Sequence, residues 1–277
     1  MTEERRQTGD GTTEDGATET RADCALAAAR AGAERASEGF RTQLTIEQKD
    51  ATADSVTAYD RAAQRAALER IARTFPDEPI AAEEEDVRKR VPATGPAWAV
   101  DPIDGTNNYV GGGRVWATSV AAVVDCDPVA AATIAPALGD AYTADDTARR
   151  NGEPITVSTE SDPERFLINP VYGLSPRDRR ELAATVETIT TRFGDLRRIG
   201  CTQLALAAVA SGELHAVVST VTLNDWDTIA GVGLVRRAGG RVTDASGARW
   251  EPDATGLVAS NDTAHDLLLD AFEPVDE

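Results

Sequence analysis

Two carboxylates stand three residues apart in the stretch WAVDPIDGTNN: Asp101 and Asp104, with Pro102 between them and Gly105-Thr106 directly after. Like charges held this close repel unless one is protonated or a cation lies between them. AWAV reads as a buried strand, which puts Asp101 at its C-terminal edge, where α/β proteins place ligands. Pro102 should end the ladder, and Asp104-Gly105-Thr106 should turn the chain. A short helix starting there would offer free N–H groups and a dipole to an anion beside the carboxylates. Acids and an anion site belong together when cations bridge them, and Mg2+ uses one or two carboxylates plus phosphate oxygens. The expectation is metal ions between the two aspartates, holding a phosphate against a helix N-terminus.

Simpler or rival chemistries use similar residues. An ordinary Asp-Gly turn accounts for the dipeptide taken alone. The D-x-D-G-T motif of phosphatases with a nucleophilic first aspartate is one residue shorter, so the orientation of the two side chains differs and a covalent aspartyl intermediate is disfavoured. An EF-hand would need alternating Asp/Asn ligands and a later Glu. Company sets the stretch apart. AAEEED places Glu83, Glu84 and Glu85 at the end of a preceding strand, where an isolated acidic run would be a solvated loop. DWDTIAGVGLVRRAGG puts Asp227 in the first turn of a later helix, a capping position in isolation. KDATADSVTAYD supplies Lys49 and, on a helix, Asp60.

The elements that must position these groups follow from periodicity. Residues 1–20 are polar and Gly/Thr-rich and read as a disordered acidic tail. Alanines at helical spacing predict a helix over residues 21–37, ending near Gly39, and a second over about 55–73, stopped by Phe75-Pro76. Short Val/Ala/Thr runs then predict strands: PIAA, AWAV, ATSVAAVVD, VAAATIAPALGDAYTA and PITVS. After about residue 160 strands and helices alternate. RFLINP, LRRIG, LHAVVST and GLVASN read as strands; Ser175-Pro176 opens a long amphipathic helix, CTQLALAAVASG a small-residue one, and DWDTIAGVGLVRR another. A hairpin is expected around Ser246-Gly247 and a last helix over residues 265–272. This alternation indicates α/β organisation.

Composition excludes other classes. Asp plus Glu total 47 against 28 Lys plus Arg, a net charge of -19, and Lys49 and Lys89 are the only lysines. Such a surface repels nucleic acid and anionic lipid. No apolar run is long enough to span a membrane, and the opening MTEERRQTGDGTTEDG has no apolar core, so a cytoplasmic protein is expected. An acidic, lysine-poor, alanine-rich chain suits a cytoplasm at very high salt, where screening removes most self-repulsion. Cys24, Cys126 and Cys201 are far apart and read as buried fillers rather than a disulfide or zinc framework. His215 and His265 read as structural.

Taken together, DPIDGTNN (the pattern D-P-x-D-G-T-x-N), WDTIAGVGLVRRAGG (a W-D start, then A-G, and an A-G-G end), the upstream EE and VTAYD resemble the inositol monophosphatase family of metal-dependent sugar phosphatases, from about residue 22 to the end. The resemblance implies a layered αβαβα sandwich of the sugar phosphatase type and a homodimer. Its α+β half, residues 21–157, would carry most metal ligands and the phosphate site, and its α/β half, residues 158–277, would complete the site. Residue by residue, it makes Glu83, Asp101 and the Ile103 carbonyl ligands of one Mg2+, with Asp101, Asp104 and Asp227 on a second and a third, weaker ion near Glu83. Asp60 would hydrogen-bond Thr106, and the pair would orient and help deprotonate the attacking water. The Gly105 and Thr106 N–H groups would hold the phosphate. In two-metal hydrolysis one ion activates water near neutral pH and the other stabilises the leaving alkoxide.

Departures bear on specificity. Ala82 replaces a glycine common in the family, which leaves Glu83 and Glu84 both open as the ligand. Thr220 stands where inositol-selective members often carry a Glu that contacts ring hydroxyls. Asn169, Tyr172 and Arg198 lie at strand ends and could meet a sugar or a second phosphate. The expected function is hydrolysis of a small sugar or polyol phosphate, with fructose-1,6-bisphosphatase activity as the runner-up and a catalytically silent phosphosugar-binding protein as the alternative from another class.

The charge yields a direct test. With a net charge of -19, the thermal midpoint should rise between about 0.1 M KCl, where the screening length is roughly 10 Å, and roughly 2 M. A midpoint flat across that range would refute salt adaptation.

Overall fold

Runs such as ATSVAAVV and DPVAAATIA have few polar interruptions, so a strand built from them must be covered on both faces. That coverage organises the molecule. The structure is a computed structural model that describes residues 11–12, 18–48, 55–84 and 87–272. Within the span read as a tail, β1 (Gly11–Thr12) pairs with β2 (Thr18–Glu19), and Glu19 is tied to Arg70 and Thr74. Residues 1–10 and 13–17 of the tail, Lys49 and Glu85 lie outside the described residues.

The helix α1 (Arg21–Gly39) is followed by a short ribbon, β3 (Ile46–Gln48) with β4 (Ser55–Thr57), and by α2 (Ala58–Thr74). The chain then lays down β5 (Ile80–Ala82), β6 (Pro96–Asp104), the one-turn helix α3 (Thr106–Val110), β7 (Ala117–Val124), β8 (Asp127–Ala135), β9 (Asp140–Ala144), β10 (Ala148–Arg150) and β11 (Glu153–Pro154). These strands form a seven-stranded sheet ordered β11-β10-β9-β8-β7-β6-β5, antiparallel except for the parallel β5/β6 pair. The second half alternates: β12 (Leu167–Pro170), α4 (Pro176–Arg192), β13 (Asp195–Leu196), α5 (Thr202–Ala210), β14 (Ala216–Ser219), α6 (Asp225–Arg237), β15 (Arg241–Thr243), β16 (Leu257–Ser260) and α7 (His265–Ala271). Its five strands are ordered β13-β12-β14-β16-β15.

Core membership shows the layers. Trp98, Val100 and Val120 of the first sheet pack under α1 and α2. Ala97, Ala99 and Ala121, on the other face of that sheet, meet Leu206 and Val209 of α5 and Leu234 of α6, whose far side meets Val217 and Leu257 of the second sheet. Ile168, Val218 and Val258 face outward to Ile189 of α4 and Leu268 of α7. The layer order is αβαβα, as expected.

Local chemistry moved several boundaries. The second helix starts at Ala58, not near residue 55, because Thr57 caps it: its hydroxyl accepts from the Tyr59 N–H. Pro102 does not end its strand; β6 runs on to Asp104 through an irregularity in its pairing with β7. The hairpin expected around Ser246-Gly247 reduces to one bridge, Thr243 with Arg249, because β15 takes β16 as its partner. LRRIG and PITVS each contribute a single residue to a strand, Leu196 to Asp195–Leu196 and Pro154 to Glu153–Pro154. The three cysteines are free, with Cys126 half-buried.

His265 fastens α7 to the second sheet. The Thr243 hydroxyl donates to the Asp244 carbonyl, so it accepts from Nε2–H, and Nδ1 is left to accept from Ser260 at 2.7 Å. Burial lowers the His265 pKa from 6.5 to about 4. A depressed pKa contributes stability that is present above the unfolded value and lost as pH falls through the folded one, here about 3 kcal/mol. The stability difference between wild type and His265→Gln should therefore shrink as pH falls from 6.5 to about 4. A difference constant across that range in urea titrations would show that His265 titrates as in the unfolded chain.

Candidate active site

In a regular strand, residues three apart point to opposite faces. Asp101 and Asp104 do not. Asp101 pairs with Ser119 and Asp104 with Ala117, so Pro102 and Ile103 together oppose Thr118 alone. This is a β-bulge, and the extra residue restores both aspartates to one face. Proline is tolerated there because a bulged residue owes the ladder no N–H, and the Pro102 carbonyl accepts from the Thr118 hydroxyl at 2.7 Å. Asp101 is 1% exposed and Asp104 8%, so their shared face is an interior one, covered by α5 and α6.

The parallel neighbour adds a third acid. Ala82 pairs with Val100, so the chain leaves β5 into Glu83-Glu84 where β6 reaches Asp101. Ala81 shares a core with Ala99 and α6, whereas Ala82 shares one with Val100 and α2. Carrying this alternation onward puts Glu83 on the Asp101 side and Glu84 on the α2 side. Glu84 is held there: the fully buried Gln64 donates to its carbonyl at 2.7 Å and accepts from its N–H at 2.6 Å. Glu84 is 4% exposed, Glu83 half-buried.

Asp104 reaches into the second half of the chain. Its carboxylate accepts from the Thr202 N–H at 3.1 Å, the Gln203 N–H at 2.5 Å and the Cys201 thiol at 3.1 Å. The first N–H groups of a helix have no internal partner, so Asp104 caps α5 from a remote strand. Burial pushes its pKa up, and these donors pull it part of the way back. Burial and the Asp104 charge push the Cys201 thiol up as well.

Asp227 sits half-buried in the first turn of α6, and its Oδ2 accepts from Asn224 at 2.9 Å. The buried Asp225 fixes that end of the helix to the loop after Glu84, taking Arg90 at 2.6 Å and the Val91 N–H at 2.8 Å. In the same loop Lys89 donates to the Glu83 carbonyl at 2.7 Å and lies 5.7 Å from the Trp226 ring. The loop bearing Glu83 and the helix bearing Asp227 are thus joined directly.

Asp60 caps α2, accepting from the Thr57 N–H at 2.8 Å and hydroxyl at 2.6 Å. The expected Asp60–Thr106 bond is replaced on the Thr106 side: its hydroxyl donates to the buried Ile103 carbonyl at 2.9 Å, the nearest acceptor within its own turn. Gly105 has φ +86°, and a Cβ there would come within 3.0 Å of the Val115 carbonyl, so glycine is required twice over.

A cavity of about 340 Å³ opens beside this turn, lined by Gly105, Thr106, Asn108, Asn169, Tyr172, Arg198 and Thr202 among others. Asn169 accepts from the Ile199 N–H at 2.8 Å and so shapes the chain before α5. The Tyr172 hydroxyl meets Thr185 at 2.6 Å and Thr220 at 3.0 Å, and Thr220 donates to Glu181 at 3.0 Å. Thr220 therefore stands behind the wall, not in it. Arg198 is exposed at the cavity and, among the described residues, has no ion pair; the surrounding protein lowers its pKa by desolvation, with no acid opposing.

Asp101 and Asp104 on their interior face, with Glu83 at the end of the neighbouring strand and Asp227 in the first turn of α6, are hard oxygen donors, a set that suits Mg2+ and not a soft metal. Among the described residues no three His, Cys, Asp or Glu side chains converge tightly enough to hold a metal as they stand. Asp104 is turned to α5 and Asp227 to Asn224. A carboxylate has about four lone-pair sites, so Asp104 can keep its N–H partners and still serve a cation. Sequence reasoning missed Gln64, Gln203, Cys201 and Asp225 as supports, because their partners lie on distant segments and no local spacing marks them.

Residues 17–277 match a family model described as the inositol monophosphatase family. The chain is 32% identical over 234 residues to "Fructose-1,6-bisphosphatase/inositol-1-monophosphatase" of Thermotoga maritima, covering 84% of this chain and 88% of that one. It is 30% identical over 271 residues to "Inositol monophosphatase 3" of Solanum lycopersicum, covering 94% and 97%. Among solved structures, the Thermotoga maritima IMPase superposes with a TM-score of 0.80 at 30% identity, covering 90% of this chain and 95% of that one. The inositol monophosphatase of Anabaena gives 0.80 at 28%, covering 92% and 96%.

The two aspartates from different halves should differ in what they do for the metal-free fold. Asp104→Ala leaves two N–H groups of α5 without an acceptor and should cost about 1–3 kcal/mol. Asp227→Ala leaves no helix N–H group without its acceptor, its bond to Asn224 being an exposed one, and should cost less than about 1 kcal/mol. Equal losses in metal-free thermal melts would show that Asp104 is not the cap of α5.

Proposed function

The chain belongs to the inositol monophosphatase family, whose members are phosphatase hydrolases, and from that premise we propose that it hydrolyses the phosphate monoester of a small sugar or polyol with Mg2+ as cofactor. The observation that carries the reading is the bulge in β6, which turns Asp101 and Asp104 to one face, toward the layer that contains α6 and Asp227. Glu83, Asp101 and the Ile103 carbonyl would hold one ion, Asp101, Asp104 and Asp227 a second, with a third near Glu83. The pleat favours Glu83 over Glu84, whose backbone is bound to Gln64.

Bound there, Mg2+ lowers the pKa of the attacking water and offsets charge on the departing oxygen. The chain supplies the remainder. The Gly105 and Thr106 N–H groups receive phosphate oxygens at the start of α3. Asp60, with Oδ2 fixed by Thr57, would accept the water proton by way of Thr106 once the Thr106 hydroxyl turns from the Ile103 carbonyl to Asp60. The cavity beside them takes the sugar, with Asn169 and Tyr172 as walls and Thr220 setting the Tyr172 hydroxyl. A homodimer in a salt-rich cytoplasm is the expected setting.

A second reading, fructose-1,6-bisphosphate as substrate, is favoured by Arg198: a cation at the cavity without an acid partner among the described residues suits a second phosphate. The printed name of the Thermotoga relative includes both activities.

One experiment tests both readings. Phosphate release is measured on inositol-1-phosphate, fructose-1,6-bisphosphate, adenosine bisphosphate and histidinol phosphate, after EDTA and after Mg2+ is restored. Activity should vanish and return. Full turnover by thoroughly demetallated enzyme would sink the mechanism. Asp60→Asn should lower kcat by about 10²–10⁴-fold with the Mg2+ dependence unchanged, whereas Asp101→Asn should shift that dependence. Arg198→Gln should raise KM for the bisphosphate alone; an equal rise for inositol-1-phosphate would remove the second reading.

A further inference from the structure

Gln203 lies in the first turn of α5 and is 0% exposed, within the layer between the two sheets. An uncharged polar side chain buried so deeply must bond at both ends of its carboxamide. It does: Nε2 donates to the Trp226 carbonyl at 2.6 Å, and Oε1 accepts from the Gly231 N–H at 2.8 Å. Only this orientation satisfies both partners, since a flipped amide would set oxygen against oxygen. Trp226 directly precedes Asp227, and Gly231 lies about one helical turn beyond it. The backbone N–H of the same glutamine donates to Asp104 Oδ2 at 2.5 Å. Nothing larger than glycine fits at residue 231, where a Cβ would come within 2.4 Å of Leu206 and 3.0 Å of Gln203 Oε1. The approach of α5 to α6 that the amide bridges is therefore fixed by shape as well as by hydrogen bonds.

We propose that Gln203 is a positioning residue that sets the distance and orientation between Asp104 and Asp227, the former through its backbone and the latter through its side chain. This rests on the reading that both aspartates serve one Mg2+. The two acids come from different halves of the chain, and Gln203 is bonded to the segments that carry both. A carboxamide suits the task because it grips a carbonyl and an N–H at once without adding charge to a crowd of buried acids. Supports of this kind typically change metal affinity by about 10–100-fold when removed.

The test is Mg2+ binding by calorimetry on the full chain, alongside metal-free thermal melts. Gln203→Met keeps the bulk and removes both side-chain bonds; Gln203→Glu keeps the acceptor for Gly231 and sets an oxygen against the Trp226 carbonyl. Both should weaken Mg2+ binding by about 10-fold or more. Leu206→Ala, in the same helix contact but without polar bonds, should lower the thermal midpoint while keeping wild-type Mg2+ affinity. Wild-type affinity in Gln203→Met or, if that variant does not fold, in Gln203→Glu would overturn the inference and leave the metal reading standing. So would a loss in Leu206→Ala as large as theirs, because looseness alone would then account for the effect. A wild-type chain that binds no Mg2+ would overturn the metal reading itself, and this inference with it.

Discussion

The carboxylate of Asp104 against the open end of α5 is the contact on which the architecture turns. It is an acid at the end of a first-half strand, and two of its acceptor sites are taken by N–H groups of a helix almost a hundred residues away in sequence. Removing a carboxylate from water is costly unless donors replace the solvent. A helix N-terminus supplies them ready-made, with a dipole of the right sign. Each side thus resolves the other's difficulty, and the two sheets are brought to a fixed separation by a polar contact inside an otherwise apolar layer.

Around that contact the chain disposes its acids with few devices. The bulge in β6 changes the face of one aspartate, the parallel pairing with β5 brings a glutamate level with another, and Gln64 commits the next glutamate's backbone to the opposite side. Cationic side chains of the next loop tie these elements together: Lys89 on the Glu83 carbonyl and Arg90 on Asp225.

Much of this is legible in the sequence because chemistry restricts residue types. Asp101, Asp104, Gly105 and Thr106 form a run that holds more acid and more turn chemistry than a plain strand end requires, and Asp227 stands at a helix start that periodicity already marks. The α/β alternation of the second half is visible for the same reason. The supports are not. A glutamine among leucines and alanines, as in TQLALAAVA, has no period and no partner nearby, and its bonds span the α5–α6 interface. Proline marks the end of a ladder in most contexts, so Pro102 hides the bulge that lets β6 continue. The turn between β7 and β8 is equally silent: Asp125 and Cys126 take φ of 52° and 65° although neither is glycine or asparagine.

The shared middle layer has a further meaning for how such a chain can change over generations. Ala97 and Ala121 from one sheet and Val217 and Leu257 from the other belong to a single apolar cluster through Leu206, Val209 and Leu234. Each half keeps an outer apolar layer of its own, but the middle layer belongs to both. Recombination that swaps one half for that of a distant relative would present two mismatched surfaces to α5 and α6 at once. The outer helices α1 and α2, packed on each other, cover the first sheet and α4 and α7 the second, so change on one side leaves the opposite half undisturbed. Variation should accumulate from the outside inward, with the inner pair of helices inherited together with both sheets as one unit.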